Sequence, residues 1–134
     1  MDRRSLYDDD IYAWAQQQAA TLRRLAETRR DLPNDLDLEN ISEEMEDLGS
    51  TRKDAAECFI RLILVHLVKL VSVQRPPRAN HWRKEFVTFH SELLAKLTRS
   101  MWVGIDLEML WRRALKEARA SLKADETNGF RLRP

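Results

Sequence analysis

Turn-forming residues are scarce in this chain. Three glycines and four prolines in 134 residues leave little of the chemistry that tight turns require. A single cysteine, Cys58, excludes an intramolecular disulfide and a thiolate zinc cluster, and a lone thiol fits a reducing cytoplasm. The longest apolar run, residues 60–73, is interrupted by Arg61, His66, Lys69 and Ser72; it is too short and too polar to span a bilayer and reads as a buried core helix. MDRRSLYDDD has no apolar segment behind its arginines, so it is not a signal peptide. There is no glycine-rich phosphate loop, no nucleophile elbow and no paired-cysteine motif. No internal repeat is visible.

What is abundant is Ala, Leu, Arg, Glu and Lys, all good helix formers. At this length one domain is expected over 1–134, with roughly 68% of the unfolded chain's surface buried. The spacing predicts an all-α antiparallel bundle of four principal helices, the second of them long. The first begins near Asp8, which caps it, and carries Ile11, Trp14, Leu22 and Leu25 on one stripe. The second is capped by Asp37, with Leu36 and Ile41 placed to form a hydrophobic staple. Its stripe of Leu38, Ile41, Met45, Leu48, Ala55, Phe59 and Leu62 stays in phase across Gly49, so one helix runs on to about Gln74. Between Ile60 and Val71 the apolar arc widens nearly all round, marking the bundle centre or a dimer interface. A third helix is expected from Asn80 to Leu97, with Trp82, Phe86, Phe89 and Leu93 inward. A fourth starts between Ser100 and Asp106 and carries Val103, Leu107, Leu110, Ala114, Ala118 and Leu122 inward. Residues 124–134 form a basic, frayed tail.

The net charge of +1 conceals a polarity. Residues 31–57 hold two basic and ten acidic side chains; residues 58–134 hold fifteen basic and seven acidic. Such asymmetry concerns partners and docking more than fold.

Taken in order, the runs YDDDIYAWAQQQAATL, LDLENISEEMEDLG, LILVHLVKL, HWR and ARASLKADET resemble domain-of-unknown-function family 29, with the second block the most specific. The resemblance spans nearly the whole chain. It implies a small, largely helical bacterial protein and supplies no activity. The Pro- and Cys-bearing segment with which the family's tail usually continues is not present before Pro134.

Three groups of residues are candidates for chemistry. In the acid block, Glu43 and Asp47 stand i, i+4 and suit a shared divalent cation. Asn40 and Glu44 border the apolar stripe, where a carboxylate is partly desolvated and can pair with an arginine. The simpler reading of these four is a solvated face with structural ion pairs or a partner contact, and no metal site is assigned. His66 falls on the core stripe and, if the next helix returns through a loop centred near Arg78, lies level with His90; such a pair binds metal or changes charge near neutral pH. A buried histidine with one structural hydrogen bond is the plainer alternative. Arg61 and His66 also read as R-x4-H, which resembles the signature of the HEPN ribonucleases, with His as acid–base and Arg as a stabiliser of phosphoryl charge; Leu62 departs from the polar residue usual after that arginine. Finally, Arg75, Arg78, Arg83 and Lys84 around Trp82 form a basic and aromatic segment of the kind that binds nucleic acid, although a pI near 7.9 is low for a dedicated binder. The reading is a cytoplasmic interaction module, self-associating or partner-binding, without catalysis, cofactor or membrane contact. The alternative is a nucleic-acid-binding protein, with or without R-x4-H cleavage.

Overall fold

A computed structural model describes residues 5–73 and 76–126. They form six helices and no strand: α1 (Leu6–Asp9), α2 (Ile11–Thr28), α3 (Leu38–Ser72), α4 (Pro76–Lys96), α5 (Arg99–Val103) and α6 (Leu107–Glu126). The all-α expectation holds, and α2, α3, α4 and α6 are the four principal helices. Helix α3 is the long one, at 35 residues, and passes through Gly49 without a break. No described helix is long and apolar enough to cross a membrane. Chain contacts divide the protein into two compact units, residues 1–55 with 97–104 and residues 56–96 with 105–134.

The first unit is built on small residues and caps. Ala15 and Ala19 of α2 are buried, as are Leu38 and Ser42 of α3 and Met101 of α5. Gly49 lets α2 and α3 approach: a Cβ there would stand 3.3 Å from both Ala15 Cβ and Tyr12 Cδ2. The buried stripe of α3 therefore runs through Leu38, Ser42 and Gly49, one position round from the expected one. Ser42 is tolerated inside because its hydroxyl donates to the Leu38 carbonyl at 2.6 Å. Ile41, expected in the core, is 38% exposed, and its proposed staple partner Leu36 is 40% exposed.

The chain entry also differs from expectation. Ser5, not Asp8, caps the one-turn α1, and Asp10 begins a separate α2 by accepting from the Ala13 N–H at 3.1 Å. The same Asp10 carboxylate accepts from the Ser100 N–H at 2.9 Å and its hydroxyl at 2.6 Å. Thr98, the N-cap of α5, makes no side-chain cap bond of its own, so Asp10 caps two helices. Burial pushes its carboxyl up, but the bonds from Ser100, Ala13 and Thr98 together outweigh that and hold it below its ordinary value. Asp37 caps α3 as expected, accepting from the Asn40 N–H at 3.2 Å.

In the second unit, α4 returns along the second half of α3. Phe59 meets Phe89 with ring centroids 6.1 Å apart, and Lys69 sits 5.7 Å over the Trp82 ring, an antiparallel register. Helix α4 starts at Pro76 rather than Asn80: a proline in the first turn loses no intrahelical bond and presets the helical φ. Helix α6 closes the unit with Ala114 and Ala118 packed on Val65, and with Leu122 packed on Val73 and Trp82. Asp106 caps α6, accepting from the Met109 N–H at 3.1 Å. The expected fourth helix is α6, begun at the late end of the expected range, whereas Val103, placed on its inner stripe by spacing, belongs to the separate α5 and is 87% exposed. Helix α6 runs through Glu126, and the rest of the expected tail lies outside the described residues.

Candidate functional site

Two concavities lie in the second unit. The first is a polar cleft of about 330 Å³ where α3, α4 and α6 meet, lined by His66, Lys69, His81, Glu85, Ser121 and Asp125 among others. His66 reaches it from the most apolar part of α3, with only 6% of its surface exposed. Its Nδ1 is 2.8 Å from the Leu62 carbonyl oxygen; a carbonyl only accepts, so Nδ1 carries a hydrogen and donates. Its Nε2 shares a 2.7 Å hydrogen bond with Glu85 Oε2. The second Glu85 oxygen lies 3.1 Å from His81 Nε2 one turn earlier on α4. One carboxylate therefore joins a buried and an exposed histidine.

The expected His66–His90 pair does not form. Because α4 begins at Pro76, its register places Glu85 opposite His66, and Phe89 packs its ring 5.1 Å from the imidazole at 70°. His90 instead lies parallel to the Phe86 ring, 6.3 Å away. Sequence reasoning missed Glu85, and took His81 only as part of the basic and aromatic segment around Trp82. Their i, i+4 spacing was legible in the expected helix; that Glu85 faces His66 is legible only once the start of α4 at Pro76 fixes its register against α3.

Both ring nitrogens of His66 are thus held by the protein, and no free lone pair faces the cleft. Arg61, the other half of R-x4-H, turns to Glu117 of α6, and this ion pair raises the guanidinium pKa above its ordinary value; a second Arg61 nitrogen lies 3.6 Å from Cys58 Sγ. The structure spends the two candidate catalytic residues on separate internal partners. Among the described residues no group of three His, Cys, Asp or Glu side chains is placed to hold a metal ion, and no buried side-chain nitrogen or oxygen lacks a hydrogen bond.

The basic segment is dispersed. Arg78 is half-buried with a nitrogen 3.9 Å from Asp125. Arg83 and Lys84 are exposed, and Arg75 lies outside the described residues. Trp82, 3% exposed, is core and offers no stacking face to a base.

In the acid block, Asn40, Glu43, Glu44 and Asp47 are all exposed, so Glu44 keeps its water rather than losing it at the stripe border. Asn40 donates through Nδ2 to Asp37 at 2.6 Å. The carboxylate that meets an arginine is Glu46: its bond with Arg23 of α2 lowers the Glu46 pKa and raises that of Arg23.

The second concavity is an apolar groove of about 320 Å³ between α3 and α6, lined by Leu67, Val68, Val71 and Ser72 on one side and Trp111 and Leu115 on the other. Val71 is 68% exposed and Trp111 43%. Leu67, Val68 and Val71 belong to the wide arc noted in the sequence: α6 covers the Val65 side and leaves the Leu67–Val71 side open.

Residues 6–130 match the family described as Domain of unknown function DUF29. Among solved structures, the chain is similar to an alpha-helical protein of unknown function from Rhodospirillum rubrum, at 39% identity and a TM-score of 0.88, over 98% of this chain and 82% of that one. No curated protein matches.

Proposed function

We propose that this chain, which belongs to the DUF29 family, is a protein-interaction module that docks its partner on the groove between α3 and α6 and performs no catalysis. The observation that carries the reading is the groove itself. A Trp, two Leu and two Val side chains line a concavity open to solvent, and a wide apolar arc with one side uncovered suits an apolar face from another chain. The lack of catalysis is supported by the commitment of His66 to Leu62 and Glu85, and of Arg61 to Glu117: a general base needs a nitrogen within reach of substrate. The single thiol supports a cytoplasmic setting, and the bacterial similarity supports a bacterial one.

The test is a photo-crosslinking residue at Val71, with exposed Lys123 on the far stretch of α6 as control. The expected result is a protein adduct from position 71 and none from position 123. No adduct from position 71, in cells or in purified protein at micromolar concentration, removes the reading.

A further inference from the structure

We infer that the groove's occupant is a second copy of this chain, presenting the Asn40–Asp47 flank of its α3. The inference rests on the groove being a docking surface, as proposed above, and names what fills it. The groove floor is apolar, but its rim on α6 is basic. Arg112, Lys116 and Arg119 are all exposed and follow Trp111 and Leu115 around the helix at one, five and eight positions from Trp111, which places them along one edge of the groove. Arg112 has a neighbour on its own helix, Glu108 at 2.6 Å. The fitting ligand is therefore a helix face with an accessible apolar side chain bordered by carboxylates.

The chain carries such a helix face. The buried stripe of α3 turns inward at Ser42 and Gly49, and Arg23 engages Glu46 on one side of it. On the other side stand Ile41 and Glu44, three apart so that they adjoin on the surface, and Asn40 and Asp47 follow on the outward face of the helix. Ile41 is 38% exposed, a partly accessible branched side chain within an acidic neighbourhood. Among the described residues no cation forms an ion pair with Glu44 or Asp47. Apolar against apolar and carboxylate against guanidinium, the flank complements the groove in both respects. Complementary surfaces on one sequence make self-association the economical use of the charge polarity between residues 31–57 and 58–134.

The experiment is sedimentation equilibrium of the full chain with two double charge reversals, Glu44→Lys with Asp47→Lys and Lys116→Glu with Arg119→Glu. Wild type is expected to associate at micromolar concentration. Each reversal alone weakens association about 10-fold or more, because like charges then face each other. An equimolar mixture of the two restores it, since each reversed surface meets its reversed complement. All four positions are exposed, and circular dichroism reads whether helix content is kept. If either reversal fails to fold, Glu44→Gln with Asp47→Asn decides instead, with about a 3-fold loss expected. A wild type that stays monomeric at about 100 µM, variants that associate like wild type, or a mixture that restores nothing overturns the inference. A Val71 adduct with a different protein also overturns it while leaving the docking surface standing; no adduct removes both.

Discussion

Asp10 ties together two helices of the first unit. Its two oxygens satisfy N–H groups at the starts of α2 and α5, the second on Ser100, 90 residues from Asp10 in sequence. An N-cap is worth roughly 0.5–2 kcal/mol, and here one residue serves two helices, so Asp10→Ala is expected to cost about 2 kcal/mol near neutral pH. The pKa direction sets the pH window. The folded-state value is depressed, so this stability is fully present above the unfolded value of roughly 3.9 and is lost as pH falls through the folded value. Urea unfolding of wild type and Asp10→Ala between pH 7 and pH 3 reads it: the gap stays constant down to about pH 4 and then narrows. A gap that widens on acidification contradicts the assignment. In the second unit the corresponding residue is Glu85. Glu85→Ala leaves His66 Nε2 facing a cavity in a site that is 6% exposed, and an unpartnered buried polar group costs about 1–3 kcal/mol. A double-mutant cycle of His66→Ala and Glu85→Ala is expected to give a coupling in that range; additive losses show that the 2.7 Å contact contributes nothing.

At the scale of helices, the register of α3 depends on what is absent from its inner stripe. An apolar-periodicity reading selects Ile41, Met45 and Leu48, because these are the large hydrophobics. The fold buries Ser42 and Gly49 instead: Ala15 of α2 packs against Gly49, where close helix approach requires a small residue, and the Ser42 hydroxyl is satisfied by the Leu38 carbonyl. The existence of α3, its cap at Asp37 and its continuity across Gly49 were legible; its rotation was not, since a serine and a glycine carry no hydrophobic signal. The same holds for the site. His66 and Arg61 stand out by type, but their partners Glu85 and Glu117 are ordinary charged residues until the registers of α4 and α6 are known. Gly49 and Gly104 separate the two contributions of a glycine. Gly49→Ala gains about 1 kcal/mol of helix propensity but places Cβ 3.3 Å from the immovable Ala15 Cβ, and overpacking of this kind costs about 1–3 kcal/mol. No net gain is expected, and a loss of up to about 2 kcal/mol. Gly104 has φ −97°, open to any residue, and its Cβ would meet chiefly the flexible end of Lys53 at 2.8 Å; Gly104→Ala is expected to stay within about 0.5 kcal/mol of wild type. Paired thermal melts decide, and a stabilised Gly49→Ala shows that α2 and α3 have room to spare.

For the whole molecule, the near-neutral total charge hides two unlike surfaces, and the consequence is a defined salt dependence. Internal pairs such as Arg23–Glu46 and Arg61–Glu117 consume part of the polarity, yet Glu44 and Asp47 remain exposed on one unit, and Lys116 and Arg119 on the other. Attraction between such surfaces on separate copies is screened as the Debye length falls from about 10 Å at 0.1 M to about 3 Å at 1 M salt. The apolar contribution from Ile41, Val71 and Trp111 is not weakened by screening. Self-association is therefore expected to lose about 10-fold in affinity between 0.05 and 0.5 M sodium chloride and then level off, rather than vanish. Val71→Glu, at a position 68% exposed, removes the salt-insensitive remainder by placing a charge against the groove floor. Sedimentation across the salt series distinguishes the two contributions. A wild type whose association strengthens with salt throughout is held by apolar contact alone, and the acidic flank of α3 then plays no part in it.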